Sequence, residues 1–399
     1  MPLVYNPTQN HTAELLIVGG GPVGLFGALC AAKRGLAVTL LDRGYRGYSR
    51  GHATLLHPST LRLMAELGLS SKLLSAGRSI GRVELHLDDD FSASLELPTP
   101  ALTVSQSVFE EILLRELQSE DVEIESPWEA NSLVQSDNGV IVNATRREIV
   151  SLGSPGVAGD WQPVETTVLN AHFVIGSDGR ESRVRPELGV EMVSAGERET
   201  FAMFEGPRTL PRHDFALSFW GGLGAVALPL ADDCGRWGFQ LQEGSDVVPD
   251  AEQLRALLAE RATWEPSPPT RLHWSKVTQF DRRLAQRFGR GRVWLAGDAA
   301  HVTSPFGGQS VNGGLLEVHE LVEAMAGCLK GSESLAELER IGLRREHEWQ
   351  RLLGIGTRIE SRPGTHEKLC HYAPRILPAL PASGRDLQQL LGQLGLTVY

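Results

Sequence analysis

Residues 14–42 read ELLIVGGGPVGLFGALCAAKRGLAVTLLD, and this stretch decides the fold. An apolar run of strand length leads into three successive glycines, a run of helical length follows, and a second short apolar run ends in Asp42. This order predicts a strand over 14–19, a helix over 22–34 and a second strand over 36–42, which together form a βαβ unit.

The glycines of this unit have the spacing of a dinucleotide-binding turn. Gly19, Gly21 and Gly24 fit G-x-G-x-x-G: the first allows the tight turn, the second lets the backbone approach a pyrophosphate, and the third lets the helix pack closely. The helix begins at Pro22, and its N-terminus adds free N–H groups and the positive end of its dipole. An acid that holds ribose hydroxyls is expected at the end of the second strand, where Asp42 stands. The unit predicts a bound dinucleotide without distinguishing FAD from NAD(P).

The composition is that of a globular protein and argues against several classes of function. The 399 residues carry a net charge of −11 without a basic run, so nucleic acid is not an expected partner. The four cysteines are far apart and form no CxxC pair and no metal-ligand cluster with a nearby histidine, which favours free thiols in a reducing cytoplasm and no metal site. The polar residues 1–12 predict no signal peptide, and the glycines within the uncharged run 15–32 argue against a transmembrane segment. We therefore expect a cytoplasmic protein, and its oligomeric state stays open.

Two later segments have the form of a strand that ends in a carboxylate. The first reads FVIGSDGRESRVR (173–185); the second reads RVWLAGDAAH (292–301) and runs through the loop PFGGQSVN (305–312) into a helix. A carboxylate at a strand end can accept hydrogen bonds from ligand hydroxyls, and loop amides at a helix N-terminus stabilise negative charge. Asp-Gly or Gly-Asp alone is also ordinary turn chemistry, but the two motifs in this order favour a ligand site.

With these three motifs in order, the sequence from Glu14 to about Leu321 resembles the p-hydroxybenzoate hydroxylase family, the single-component (group A) FAD-dependent monooxygenases. The resemblance implies FAD as cofactor, NADPH or NADH as co-substrate, O₂ as oxidant and a small-molecule substrate. The family has no separate nicotinamide domain, in agreement with a single G-x-G-x-x-G here. From the few residues that follow Lys330 we do not expect the thioredoxin-like domain that some relatives carry.

Carried over position by position, the resemblance assigns the residues that would contact FAD. The glycine turn would hold the pyrophosphate, the acid after the second strand the adenosine ribose, and the Gly-Asp motif the ribityl chain. The Asp-Gly motif is linked to both FAD and NAD(P)H, and the loop 305–312 would lie beside the flavin ring. The cofactor-binding residues predicted in this way are Gly19, Gly21, Pro22, Gly24, Asp42, Arg43, Arg50, Gln106, Asp178, Gly297, Asp298, Pro305, Gly308, Val311 and Asn312.

Several departures from the family pattern bear on the flavin. His52 stands where many members have an arginine, so Arg50 is expected to take over that contact with FAD. Because histidine titrates near neutral pH, His52 is the candidate catalytic base for deprotonating a phenolic substrate; a polar contact to the cofactor is the alternative that we favour. Ser310 replaces a glycine of the flavin loop, and Glu317 replaces an aspartate of the helix after it. Both changes lie in or directly after the loop that is expected beside the flavin.

Alternating apolar and polar residues predict a second sheet assembled from two separate stretches of the chain. The predicted fold class is α/β, a Rossmann-like FAD-binding domain with an inserted antiparallel-sheet substrate domain and C-terminal helices. The FAD-binding domain is predicted at 1–76, 104–187 and 281–360, the substrate domain at 77–103 and 188–280, and a C-terminal helical segment at 361–399.

The resemblance predicts an FAD-dependent monooxygenase that hydroxylates or epoxidises a small, largely apolar substrate, aromatic or polyketide-like, through a flavin C4a-hydroperoxide. Candidate substrate-lining residues on the second sheet are Phe219, Trp220, Phe239 and Gln240. The alternatives are a non-catalytic or divergent FAD-binding protein of the same fold, and a flavin-dependent halogenase or reductase. The halogenase is disfavoured because the sequence lacks a Trp-x-Trp-x-Ile-Pro segment, and a disulfide reductase because it lacks a redox cysteine pair.

Overall fold

The computed structural model describes residues 4–5, 12–44, 53–88, 90–120, 122–150, 160–208, 215–245, 247–265, 269 and 271–399. The helices in these ranges are α1 (Pro22–Lys33), α2 (Pro58–Glu66), α3 (Ser70–Ala76), α4 (Gln106–Ser119), α5 (Val184–Glu187), α6 (Ala251–Arg261), α7 (Gln309–Leu329), α8 (Leu335–Leu352), α9 (Glu367–Ala379) and α10 (Gly384–Gln393). The strands are β1 (Val4–Tyr5), β2 (Thr12–Val18), β3 (Val38–Leu41), β4 (Ala53–Leu56), β5 (Arg78–Leu87), β6 (Phe91–Ser105), β7 (Glu123–Glu125), β8 (Trp128–Ser136), β9 (Gly139–Val150), β10 (Asp160–Gly176), β11 (Met192–Ser194), β12 (Glu199–Pro207), β13 (Phe215–Trp220), β14 (Leu223–Pro229), β15 (Cys234–Leu241), β16 (Trp274–Phe280), β17 (Arg283–Ala285), β18 (Gly289–Arg290), β19 (Val293–Leu295), β20 (His301–Val302), β21 (Ile359–Ser361) and β22 (Leu396–Val398).

The first sheet is the one that the glycine turn predicts. Its order is β18-β19-β10-β2-β3-β7, and the neighbours β19, β10, β2 and β3 run parallel. These parallel strands are almost wholly apolar where they pair, since α1, α4 and α7 cover one face of the sheet and β8 and β9 with α5 cover much of the other. The βαβ unit predicted over 14–42 is confirmed as β2, α1 and β3.

The second sheet joins strands from both predicted stretches. Its order is β16-β12-β15-β14-β13-β5-β6-β4. It is not purely antiparallel, because β13 pairs with β5 in parallel, with Phe215 opposite Val83. The chain passes through the first sheet between β6 and β13, and this long crossover allows β13 to enter in the same direction as β5. The edge strand β4 comes from the segment assigned to the FAD-binding domain.

The C-terminal helices pack on one face of the second sheet. The apolar stripe of α10, with Leu390, Leu391 and Leu394, is buried together with α9 against β5, β6 and β13. On the opposite face α6 covers Phe204, Trp237 and Phe239. The sheet is therefore buried on both faces.

The predicted α/β fold class is confirmed, whereas the domain boundaries drawn through the sequence remain predictions. The meander β8-β9-β10, whose strands carry many polar residues, went unpredicted. The segment 361–399, predicted to be helical, contains α9, which has Pro374 and Pro378 within it, and α10. No helix in the described ranges is both long enough and apolar enough to cross a membrane.

Candidate functional site

The three motifs meet because they follow adjacent parallel strands. Gly176 at the end of β10 lies in register with Val18 of β2 on one side and Leu295 of β19 on the other, and Val18 pairs in turn with Leu41 of β3. The residues after these strand ends therefore gather at one edge of the sheet. In open α/β sheets, ligands bind at this carboxyl edge.

The glycines of the first turn serve different purposes. A Cβ on Gly24 would lie 1.8 Å from the carbonyl oxygen of Gly19, and one on Gly19 would lie 2.4 Å from that of Ser177. A Cβ on Gly21 would meet no heavy atom within 4 Å. Gly19 and Gly24 are thus required by the chain's own packing, whereas Gly21, the residue before Pro22 at the start of α1, borders open space where a ligand can approach the helix N-terminus.

A cavity of about 260 Å³ opens at this edge, and we call it the strand-end cleft. The predicted residues Asp42, Arg43, Gln106 and Asp178 line it together with the glycine turn. Asp42 is buried, and its Oδ1 accepts a hydrogen bond of 3.3 Å from the backbone N–H of Gly20. The predicted residues Arg50 and His52 lie outside the described residues, so their roles remain predictions.

Asp178 divides its two carboxylate oxygens between the protein and the cleft. Oδ2 accepts hydrogen bonds from the backbone N–H groups of Arg183 (2.6 Å) and Val184 (3.2 Å) at the start of α5. Oδ1 is buried and has no hydrogen-bond partner among the described residues. Turn chemistry therefore accounts for one oxygen of Asp178, and the other is left for a ligand donor.

Asp298 combines solvent exposure with densely packed surroundings. Its side chain remains exposed to solvent, yet protein surrounds it so densely that desolvation raises the pKa of its carboxyl group, an effect that the nearby His301 and Arg180 only partly oppose. Gly297 before it has φ +63°, a conformation that glycine adopts without strain. A ligand can therefore reach this carboxylate, although protein surrounds it closely.

Glu317 holds the Gly-Asp turn in place from behind. Its Oε2 accepts a hydrogen bond of 3.0 Å from the N–H of Gly297 and lies 2.8 Å from Nε2 of His301, while its Oε1 accepts one of 2.7 Å from the indole N–H of Trp349. Burial alone would raise the pKa of Glu317, but the neighbouring His301 and these hydrogen bonds lower it. Glu317, which departs from the family pattern, is thus a buried carboxylate that supports the turn.

The loop before α7 is anchored by buried side chains. Asn312 accepts hydrogen bonds from the N–H of His57 and the hydroxyl of Thr60, both 2.7 Å, and donates to the carbonyls of Leu55 and Gly308. The side chain of Asn312 is therefore satisfied within the protein, leaving only backbone groups of the predicted residues Gly308, Val311 and Asn312 for a ligand.

The C-terminal segment also anchors this loop. Gln309 donates to the carbonyls of Leu380 (2.7 Å) and Ala382 (3.2 Å), and the ring of His57 joins the carbonyl of Gly307 to the hydroxyl of Ser383. Gly307 has φ +67°, and a Cβ there would lie within 3 Å of two carbonyl oxygens of this segment. The position of the loop thus depends on residues far along the chain.

Phe306, the neighbour of the predicted Pro305, docks the loop onto the second sheet. Its ring packs edge-on against Phe201, with centroids 5.0 Å apart, and against Phe219, at 6.3 Å. A Cβ on Gly224 would lie 2.7 Å from the Phe306 ring, so glycine makes room for it. This contact brings Pro305 to the sheet face that contains Phe219.

The four predicted substrate residues divide between the two faces of the second sheet. Phe219 and Gln240 lie on the face that meets the loop, where Gln240 accepts a hydrogen bond of 3.1 Å from the N–H of Gly224. Phe239 lies on the opposite face, buried beneath α6, and strand alternation places Trp220 on that face as well. We therefore leave Phe239 and Trp220 out of the proposed site. The alternation of 219 with 220 and of 239 with 240 already shows that neither pair can share a face.

Two charged residues that the sequence did not single out join Gln240. Gln240 donates to Oε1 of Glu199 (3.3 Å) and accepts from the guanidinium of Arg375, which lies 5.2 Å above the Phe219 ring. Oε2 of Glu199 is buried without a hydrogen-bond partner among the described residues. Burial raises the pKa of Glu199, and the charges of Arg282 and Arg375 offset only part of the rise. Arg375 comes from α9, so no local pattern could have paired it with this sheet.

The expectation that every cysteine stands apart from possible metal ligands needs correction at Cys234. Its Sγ lies 3.7 Å from Nδ1 of His273, and one ligand atom each of Cys234, His273 and Glu205 fall within 4.8 Å of one another. Adjacent strands bring them together, which sequence distance conceals. Glu205 already accepts a hydrogen bond of 2.5 Å from Arg236, and burial together with Glu205 raises the pKa of the thiol to about 11. Both facts disfavour a metal ion, and we assign none.

Comparison with known proteins identifies what this arrangement resembles. The sequence pattern of the family described as "FAD binding domain" matches residues 12–353. The 6-methylpretetramide 4-monooxygenase of Streptomyces rimosus is 29% identical over 82% of this chain and 58% of its own length. The para-nitrophenol 4-monooxygenase of Pseudomonas sp. strain WBC-3 is 28% identical over 83% of this chain and 82% of its own. The chain thus spans about three fifths of the length of the Streptomyces rimosus relative.

A solved structure extends the likeness to the fold. The ternary complex of aklavinone-11 hydroxylase with FAD and aklavinone superposes with a TM-score of 0.69, covering 96% of this chain and 73% of that one at 21% sequence identity. At this identity the likeness concerns the fold alone.

Proposed function

Since the chain belongs to the family of FAD-binding domains, we propose that it is an FAD-dependent monooxygenase, which uses NADPH or NADH and O₂ to oxygenate an aromatic or polyketide-like substrate. The family match confirms the FAD cofactor predicted from the motifs and agrees with the resemblance to the p-hydroxybenzoate hydroxylases. The curated relatives named above are monooxygenases, so a non-catalytic protein, a halogenase or a reductase is not favoured.

The residues at the carboxyl edge of the first sheet fit FAD. Gly21 leaves open space before the N-terminus of α1, where a pyrophosphate can approach, and Asp42 lines the same cleft for a ribose. The unpartnered oxygen of Asp178 and the solvent-accessible carboxylate of Asp298 are acceptors for ligand hydroxyls. The convergence of these three carboxylates on one sheet edge is the observation that carries the proposal.

Bound FAD supplies the redox chemistry of such a reaction, namely acceptance of a hydride from the nicotinamide and activation of O₂. The chain's task is to position and enclose the reactants. The first N–H groups of α7 lack acceptors within the helix, so they can stabilise negative charge beside the loop at Pro305. Phe306 seals the loop against the apolar face of the second sheet and keeps water from the space between them.

The same sheet face supplies polar groups for the substrate. We assign Gln240, Glu199 and Arg375 to orient a phenolic hydroxyl, because they form one connected group beside the aromatic ring of Phe219. Arg375 favours a phenolate, and Glu199, whose pKa burial raises, can exchange a proton with it. Relatives named for para-nitrophenol and for a pretetramide agree with a phenolic substrate.

The proposal is tested on the purified protein in two steps. Mass spectrometry of the released ligand should identify FAD; NAD or FMN instead would contradict the cofactor assignment. A panel of phenols should then include compounds that accelerate both NAD(P)H oxidation and O₂ uptake, and ¹⁸O₂ should label the product. Tight FAD binding with NAD(P)H oxidation that no phenol accelerates and no labelled product would refute the monooxygenase and leave the non-catalytic alternative.

A further inference from the structure

A second cavity, of about 390 Å³, lies on the side of α7 away from the strand-end cleft. Gln309, Gly313 and Leu316 of α7 form one wall, and residues of α2, α8, α9, α10 and β22 form the others. The cavity shares no lining residue with the strand-end cleft. Its volume falls within the range of small-molecule sites, about 300–1,000 Å³.

The larger part of the surface that lines this cavity is apolar. Its walls present the indole of Trp349 and the side chains of Leu316, Leu352, Leu377, Leu387 and Leu391. Such a lining removes a hydrocarbon or aromatic body from water, at about 25 cal/mol per Å² of apolar surface buried. The uncharged polar side chains of Ser59, Ser383 and Gln388 line the cavity beside this apolar surface.

The rim of the cavity is positively charged. Arg62 is bound to Asp386, and Arg345 to Glu320 and Glu348. The two exposed arginines at the rim, Arg351 and Arg385, form no ion pair in the described ranges of the chain. The only acid that lines the cavity among those residues is Glu348, which Arg345 already neutralises. Two guanidinium groups thus stand at the rim of a largely apolar pocket, and no acid in the described part of the chain pairs with them.

We propose that this cavity is a second ligand site, which binds an amphipathic organic anion, a carboxylate with an apolar body. The body would lie among the leucines and Trp349, and the carboxylate would accept hydrogen bonds from Arg351 and Arg385. Guanidinium groups suit this role because they present paired donors that match the two carboxylate oxygens. The occupant would also touch Gln309, whose amide anchors the loop before α7.

The test is calorimetric titration of the FAD-loaded protein with decanoate, and with decanol as the uncharged probe of equal chain length. Decanoate should bind with a stoichiometry of one, more tightly than decanol, and more weakly as salt is raised. Arg351→Ala and Arg385→Ala should each weaken decanoate binding about threefold to tenfold. Leu387→Trp, which fills the cavity, should abolish it.

The matched control is Arg255→Ala, which removes an exposed arginine from α6. Among the residues that the structure describes, its side chain bonds only to the carbonyl of Ala251. This variant should bind decanoate as the natural protein does. The proposal is overturned if decanoate does not saturate one site, if decanol binds as tightly, or if the arginine variants bind unchanged. It is equally overturned if the natural protein is a dimer that Leu387→Trp dissociates, because a second copy would then cover the cavity.

Discussion

Gly21→Ala and Gly24→Ala add the same methyl group to one turn, but the structure gives them opposite consequences. At Gly21 the new Cβ meets nothing within 4 Å, and φ of −77° is an ordinary conformation for alanine. At Gly24 it would lie 1.8 Å from the carbonyl oxygen of Gly19 and 2.6 Å from Oγ of Ser177. Only Gly24→Ala should lower the stability of the apoprotein.

The expected magnitudes follow from these contacts. At Gly21, which caps α1, alanine loses a few tenths of a kcal/mol of capping and gains about as much from a less flexible unfolded chain, so the free energy of unfolding should change by less than about 0.5 kcal/mol. At Gly24 overpacking should cost about 1–3 kcal/mol. For FAD binding, the Gly21 methyl group obstructs the pyrophosphate; losing one charge-assisted hydrogen bond of about 1.5–3 kcal/mol weakens affinity about tenfold to a hundredfold.

The assay separates stability from affinity. FAD is removed from each variant, urea unfolding gives the stability of the apoprotein, and quenching of flavin fluorescence gives the dissociation constant on reconstitution. The reasoning is refuted if the Gly21→Ala apoprotein loses as much stability as Gly24→Ala, or if it binds FAD as tightly as the natural protein.

Three further predictions concern ionisable groups. Asp298→Asn should weaken FAD binding about tenfold without lowering the unfolding midpoint. The control Asp137→Asn, at an exposed position, should change neither quantity. Burial lowers the pKa of His57 to about 4, below the value near 6.5 of an unfolded histidine, so the unfolded chain binds the proton first. Stability should therefore fall by about 3 kcal/mol as the pH drops from 6.5 to 4, and urea unfolding of His57→Gln should lack this loss. For Glu199, whose pKa burial raises, the pH profile of phenol-dependent NAD(P)H oxidation should show an ionisation above the usual carboxyl range; its persistence in Glu199→Gln would assign it to another group.

The residues at the carboxyl edge of the first sheet could be predicted from the sequence. Each of its elements is local: an apolar strand, then a glycine turn or an acid, in segments of about ten residues. Because adjacent parallel strands end at the same edge, Asp42, Asp178 and Asp298 meet once the strands pair. The local chemistry and a single topological rule are sufficient for that prediction.

The substrate side of the site could not be predicted from the sequence, because its contacts join residues that are distant along the chain. Alternation shows that Phe239 and Gln240 face opposite ways, but only packing decides which face meets the loop at Phe306. Arg375 reaches Gln240 from a helix far along the chain, and Glu317 supports Gly297 through a buried hydrogen bond. Backbone conformation depends mainly on neighbours in sequence, so strands, turns and their acids could be predicted. Contacts between side chains that are distant in sequence depend on how whole helices and strands pack. Only the tertiary structure could therefore show these contacts.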